Sequence, residues 1–308
     1  MIGKNKTPKN ILVIGEPILD HEIKSEVVGM SLETPTLKTK FVSENYTFGG
    51  AANVVANLLA LGEKVTFIAP VATDKYANNY QEWDDDRLRL LGISYKGENV
   101  VKSRYWIQRA DSIYKYLQIN QGSVFNKNKL IAPTIEKELE SNNYDSAILV
   151  DYRNGIFNKG CKNTQTIIQT LINSGVKTYA ASQTSDKDSQ YHIFSGVDLI
   201  CLNSDEASTV LGRRFKNDKD VADLSEILRS RVCVTMGSAG SMLQTLSGTI
   251  TEPCYEVEAI DTCGAGDCFL AALVASDENL PLSNKWAAAS VRKIGTNVPD
   301  LEEVLSWA

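Results

Sequence analysis

The chain has 308 residues, 43% of them hydrophobic and 23% charged, with a formal net charge of −6. This composition suits a globular enzyme with a sizeable α/β core. The negative balance excludes the chain as a whole as a nucleic-acid binder, so an anionic ligand must be held by a local arrangement. No apolar run approaches the ~18 residues of a membrane span. The polar stretch Met1 to Asn10 does not read as a signal peptide. Six cysteines (Cys161, Cys201, Cys233, Cys254, Cys263, Cys268) form no C-x-x-C pair, and only His21 and His192 accompany them, so zinc is not expected. The expected location is the cytoplasm, with no membrane partner.

Ile11–Ile14, closed by Gly15, reads as a strand buried on both faces. Gly15-Glu16-Pro17-Ile18-Leu19-Asp20 leaves it, with Asp20 either a turn residue or a ligand for hydroxyl groups. Thr36–Thr47 alternates like a half-exposed strand. Gly49-Gly50 precedes a helix predicted over Ala51–Leu61 and stopped by Gly62, with Asn53 and Asn57 four apart on one face. Val65–Ala69 is the next strand. Ser103–Asn120 repeats the half-exposed pattern, and the two stretches together predict a small projecting sheet, either a lid or ordinary edge hairpins.

Strands are then expected at Ala147–Val150, Thr178–Ala181, Leu199–Leu202, Val232–Met236 and Ser241–Thr245, with helices at Asn163–Asn173, Val221–Leu228 and Trp286–Ile294. Alternating strands and helices imply an α/β fold with a mostly parallel central sheet covered on both sides. One domain over residues 1–308 is expected, with lid strands from about 36–47 and 103–120.

The stretch Ala259–Ser276, AIDTCGAGDCFLAALVAS, carries the chemistry. Tyr255, Val257 and Ala259 alternate as a strand. Asp261, Thr262, Cys263 and the run Gly264-Ala265-Gly266-Asp267 follow, then an apolar helix from Cys268. A glycine turn at a helix N-terminus offers backbone N–H groups to an anion, and glycines allow close approach. A carboxylate beside such a pocket is unfavourable unless it has a task, such as taking a proton from an attacking hydroxyl. Asp267 could equally be a plain cap residue.

This segment resembles the second signature, D-T-x-G-A-G-D, of the ribokinase-like (PfkB-type) carbohydrate kinases. The resemblance implies a ribokinase-like three-layer α/β/α fold with a small β-sheet lid. It also implies transfer of the γ-phosphoryl group of ATP, with Mg²⁺, to a sugar or sugar phosphate. By position, Asp267 becomes the catalytic base, and Gly264, Ala265 and Gly266 the anion hole. Asp261 and Cys263 match positions that help build a monovalent-cation (K⁺) site, mainly through backbone oxygens. Asp20 and Gly49-Gly50-Ala51-Ala52-Asn53 resemble the sugar-binding positions. Asn203-Ser204-Asp205-Glu206 resembles N-x-x-E, in which Glu206 organises Mg²⁺ through water; it reads equally as a capping box. Thr235 and Gly237, in the turn Thr235–Gly240, match ATP contacts. No P-loop and no G-x-G-x-x-G in the first βα turn support other nucleotide folds.

Within the family the chain is most similar to kinases of heptose 7-phosphate, which phosphorylate O1 on the route to ADP-heptose and lipopolysaccharide. The matches are GEPILD, GGAANV, Lys102-Ser103-Arg104 with Gln108-Arg109, and Lys293-Ile294-Gly295-Thr296-Asn297. Arg104 and Arg109 would suit a substrate phosphate. Three departures stand against the subgroup: Asn154 where a lysine is usual, Ala181-Ser182-Gln183-Thr184 in place of a D-P-K stretch, and Cys268 after the base. Two other readings stay open. One is a sugar- or nucleotide-binding regulator with little turnover. The other is a nucleoside kinase, with Tyr105, Trp106 and Tyr114 lining the lid. A lid with open strand edges could pair two copies into a homodimer.

Overall fold

The computed structural model describes residues 7–110, 112–184 and 188–307. The first six residues, and with them most of the polar start, lie outside it, as does position 111 within the second half-exposed stretch. In chain order the elements are β1 (Asn10–Gly15), β2 (Pro17–Met30), β3 (Leu37–Gly50), α1 (Ala51–Ala60), β4 (Lys64–Ala72), α2 (Ala77–Gln81), β5 (Leu88–Tyr95), β6 (Val100–Arg109) and β7 (Ser112–Gln121). There follow α3 (Ile131–Ser141), β8 (Ser146–Val150), α4 (Lys162–Ser174), β9 (Lys177–Ala181), β10 (Leu199–Asn203), α5 (Ser204–Leu211) and α6 (Asp218–Leu228). The chain continues through β11 (Arg231–Thr235), β12 (Ser241–Thr245), β13 (Gly248–Glu252), α7 (Ala265–Ala275), α8 (Leu280–Ser290) and α9 (Leu301–Ser306).

The apolar runs assemble a nine-stranded sheet in the order β13-β12-β11-β10-β9-β8-β1-β4-β5. It is parallel from β11 to β5, and β12 and β13 close one edge antiparallel. Side-chain alternation divides each strand between two cores. Ile11 and Val13 of β1 join a cluster with α1, α7 and α8, whereas Leu12 and Ile14 join one with α3, α4 and α6 on the opposite face. The fold is therefore the expected ribokinase-like α/β/α arrangement.

The smaller sheet runs β3-β2-β6-β7, with β2 and β6 parallel at its centre and antiparallel partners outside. Sequence pattern found β3 and the β6–β7 hairpin but missed β2. Its first half is buried and runs on from β1, and its second half is mostly exposed, so no single periodicity covers it. The edge strand β5 was missed as well.

Three further boundaries are corrected. Tyr255 to Ala259 is not a strand: residues 253–264 carry no regular element, and Tyr255 to Ala259 line a cavity instead of pairing with a sheet. Helix α7 begins at Ala265, not Cys268, so the Gly-Ala-Gly-Asp run forms its N-cap and first turn. Helix α8 spans Leu280–Ser290, beginning well over a turn before the predicted start at Trp286 and ending about a turn before the predicted end at Ile294. Asn279 caps it, accepting from Leu282 N–H, and Pro281 sits in the first turn, where no donor is missed.

Candidate active site

Asp267 is the third residue of α7. Gly264 caps the helix in a left-handed conformation (φ +77°) with no side-chain cap, and a Cβ there would stand 2.7 Å from Asn53 Nδ2. Glycine is thus required twice over, by φ and by the close approach of α1. Asp267 is buried. The Tyr152 hydroxyl donates to its Oδ1 at 2.7 Å and lies 2.9 Å from Oδ2, and Asn53 Nδ2 donates to Oδ2 at 3.0 Å. Burial pushes the carboxyl up to about 6, while the hydrogen bonds from Tyr152 and Asn53 and the charge of Lys102 pull it back. A carboxylate with a pKa near 6 is ionised at neutral pH yet basic enough to accept a proton.

Tyr152 was not predicted as a site residue. It follows β8 on the sheet edge where Asn203 and Thr235 end β10 and β11, and that shared carboxyl edge of parallel strands was the available signal. Glu16 pins its segment: Oε2 accepts Tyr152 N–H at 2.9 Å and Oε1 accepts Ile156 N–H at 2.8 Å. Burial, and next the charge of Asp151, raises the Glu16 pKa. Lys102 Nζ stands 5.3 Å above the Tyr152 ring, and no carboxylate lies within ion-pair distance of it among the described residues.

Asp20 lies within β2, not in a turn, and is buried. Gly49 on β3, which pairs with Ile18, comes so close that a Cβ there would meet Asp20 Oδ2 at 2.4 Å. Gly50 has φ +59°, and a Cβ there would meet Glu16 O at 2.7 Å. Asp20 Oδ1 is 2.8 Å from Arg104 Nη1 but out of line for a hydrogen bond, and it accepts none among the described residues. A buried acceptor in that state favours a hydroxyl donor from a ligand.

Both arginines lie on β6 of the small sheet, in different surroundings. Arg104 is neither exposed nor free: it is buried between Asp20 and Glu22, 2.8 and 2.9 Å away, and Glu22 also accepts from Trp106 Nε1. Arg109 is exposed at the end of β6, seven residues from Lys102 and so about 23 Å along the strand. It does not converge on Asp267.

Two cavities meet at Thr235, Gly266 and Phe269. The smaller, about 210 Å³, is lined by Asp151, Tyr152, Ser182, Asn203, Glu206, Gly264 and Asp267, among others. The larger, about 860 Å³, is lined by Gly237, Tyr255, Val257, Ala265 and the Asn284–Ala288 face of α8, among others, a size that accepts a nucleotide-sized ligand. Thr235 ends β11 and Gly237 (φ +58°) opens the short 3₁₀ turn beyond it.

Asn203 and Glu206 form a reciprocal capping box on α5, and Glu206 Oε2 also accepts from Tyr191 at 2.8 Å. Burial raises the Glu206 pKa. Ser182 and Gln190 donate to Asp151 Oδ2, each at 2.5 Å. Asp261 accepts from Cys263 N–H and Gly295 N–H, 3.2 and 2.9 Å, and so ties the loop before α7 to the one after α8. No group of three or more His, Cys, Asp or Glu poised for a metal occurs among the described residues.

A phosphate-sized recess at a helix N-terminus, a raised carboxylate and an adjoining nucleotide-sized cavity define a phosphoryl-transfer enzyme acting on hydroxyl groups. Comparison with known proteins agrees. The chain belongs to the pfkB family carbohydrate kinases, whose pattern matches residues 8–302. It is 30% identical to the bifunctional protein HldE of Campylobacter curvus and 29% to that of Nitratiruptor sp., over 96% of this chain and 64% of each relative. It thus spans under two thirds of those relatives' length. Among solved structures it resembles phosphofructokinase-2 from Escherichia coli in complex with potassium (TM-score 0.75, 16% identity, 97% of each chain). Ribokinase from Thermotoga maritima aligns at TM-score 0.71 and 18% identity, over 97% of this chain and 98% of that one. No helix among the described residues is long and apolar enough to cross a membrane.

Proposed function

We propose that this carbohydrate kinase moves the γ-phosphoryl group of ATP to the anomeric O1 of a sugar phosphate of the heptose 7-phosphate class. The observation that carries the reading is Asp267: a buried carboxylate in the first turn of a helix without a side-chain cap, lining the smaller cavity. The nucleotide would occupy the larger cavity, with its phosphates reaching past Thr235 and Gly266. The Gly264, Ala265 and Gly266 amides would stabilise the charge on the phosphoryl oxygens. Asp267 would take the hydroxyl proton as O1 attacks phosphorus.

The sugar would donate to the unsatisfied Oδ1 of Asp20 and pass Gly49 and Gly50. Lys102, which has no carboxylate partner among the described residues, would meet a substrate phosphate in preference to Arg104 or Arg109. The HldE relatives and the K-S-R stretch support the heptose class. Oxygen donors at Asp151 and Glu206 fit Mg²⁺, and without a ready ligand cluster such an ion would be held through water and phosphate oxygens. It would neutralise charge on the phosphates. Asp261, with both oxygens occupied, would serve a K⁺ site only by shaping the backbone of residues 261–264. The β3-β2-β6-β7 sheet would act as the lid of one kinase domain. Its exposed Phe41, Val42, Tyr114, Tyr116, Leu117 and Ile119 would pair two copies.

The test is ADP release from ATP·Mg²⁺ across a panel of sugars and sugar phosphates. The reading predicts turnover with phosphorylated aldoses bearing a free anomeric hydroxyl. Turnover with unphosphorylated sugars or nucleosides alone contradicts it.

A further inference from the structure

We propose that Trp286 is a positioning residue for Asp267, acting through Asn57 and Asn53; the proposal rests on the role given to Asp267 above. Trp286 sits in α8, and Asn57 and Asn53 lie four apart on α1, all three buried. Trp286 Nε1 donates to Asn57 Oδ1 at 2.7 Å. Asn57 Nδ2 donates to Asn53 Oδ1 at 3.0 Å and to Asn53 O at 2.8 Å. Asn53 Nδ2 then donates to Asp267 Oδ2.

The polarity of this chain is set at its head by the indole, and two backbone carbonyls, Asn53 O and Gly264 O, hold the amides in the same sense further along. An amide side chain can turn over and exchange its oxygen for its NH₂ with little change in shape. An indole N–H can only donate. Trp286 therefore obliges Asn57 to face it with oxygen, and Asn57 must turn its NH₂ to Asn53. Asn53 in turn must present its own NH₂, and not its oxygen, to Asp267. Without the indole donor, Asn57 Oδ1 loses its partner and the amides are held only by Asn53 O and Gly264 O, so the donation to Asp267 is less firmly aimed, which favours its protonated form. The other groups bearing on Asp267 come from other elements: Tyr152 after β8, Lys102 on β6, Asp20 on β2, Cys263 in the preceding loop and Cys268 on α7. None of these contacts includes Trp286, and only the Cys268 thiol, which bonds to Asn57, touches the relay itself.

Two variants and one isostere test this. Trp286→Phe removes the donor. Asn57→Leu keeps the size and removes both the acceptor for the indole and the donor to Asn53. Benzothienylalanine at position 286 keeps the ring shape and removes only the N–H, which guards against a folding defect. In protein labelled with [¹³Cγ]aspartate, the Asp267 signal is assigned by its loss in Asp267→Asn. It should titrate higher in each variant by about one pH unit, the worth of one charge-assisted hydrogen bond. The acid limb of kcat/KM should move up equally, with KM for ATP within about twofold. An unchanged Asp267 titration in the folded isostere overturns the proposal. A shifted titration in a protein without sugar-dependent turnover supports the relay and counts against the kinase reading instead.

Discussion

The nine-stranded and four-stranded sheets bury different things. In the large sheet, strands such as β1 and β8 place apolar side chains on both faces, and Ile11 to Ile14 are fully buried. In the small sheet, β7 is exposed along its whole length, and what β2 and β6 bury includes Asp20, His21, Glu22, Ser103 and Arg104. The first is a scaffold held by area removed from water. The second encloses charges that must satisfy one another, and Asp20 Oδ1, though paired with Arg104, accepts no hydrogen bond among the described residues. Substitutions should separate the two: in the scaffold they change stability and spare chemistry, and where the sheets meet they do the reverse.

The largest effect is expected at the meeting point. Asp267→Asn should cost roughly 10²–10⁴-fold in kcat with substrate binding kept, read by steady-state kinetics. Its melting temperature at pH 8 should not fall. A carboxyl raised by burial favours folding when protonated, and that contribution is lost as pH rises through about 6. Removing the charge removes the penalty. For the same reason kcat/KM of the native enzyme should drop about tenfold per pH unit below about 6.

Next comes Lys102→Met, with a loss of roughly 10–100-fold in kcat/KM for a phosphorylated substrate. Arg109→Gln should change it less than about twofold. The opposite ranking would return the phosphate contact to the strand tip.

On the scaffold, Glu278 accepts from Arg231 at 2.7 and 2.8 Å and pairs with Lys177 at 2.9 Å, and their hydrogen bonds outweigh its burial to hold its pKa down at about 2. Its contribution is present above the ordinary glutamate range and is lost as pH falls toward 2. Glu278→Gln should destabilise by about 1–3 kcal/mol in denaturant titration, with kcat unchanged. The smallest effect on folding, below about 0.5 kcal/mol, is expected for Phe41→Ser with Tyr116→Ser on the exposed sheet. The same double variant should shift sedimentation from dimer to monomer if that face pairs two copies.

The sequence was legible wherever one periodicity governed a whole element. The strands at Ile11, Val65, Ala147 and Leu199 and the helix Asn163–Asn173 fall within a few residues of their observed bounds, because buried strands and amphipathic helices carry their pattern locally. The glycine run before Asp267 was legible because a close approach and a left-handed turn admit little else. Tyr152, Lys102 and Trp286 were not, since a tyrosine after a strand, a lysine within one or a tryptophan in a helix has many uses and only the tertiary approach of β6, β8, α1 and α8 gives these theirs. The surroundings of Arg104 were hidden for a related reason. Its charge was visible, but the two carboxylates that occupy it lie on β2, a strand that no pattern revealed.

The most direct test is ³¹P NMR of the product formed from ATP·Mg²⁺ and a heptose 7-phosphate by the native enzyme and by Asp267→Asn. A new anomeric phosphate resonance, coupled to H1 and suppressed in the variant, is the predicted result. A phosphate on another hydroxyl, or equal product from Asp267→Asn, would contradict the account.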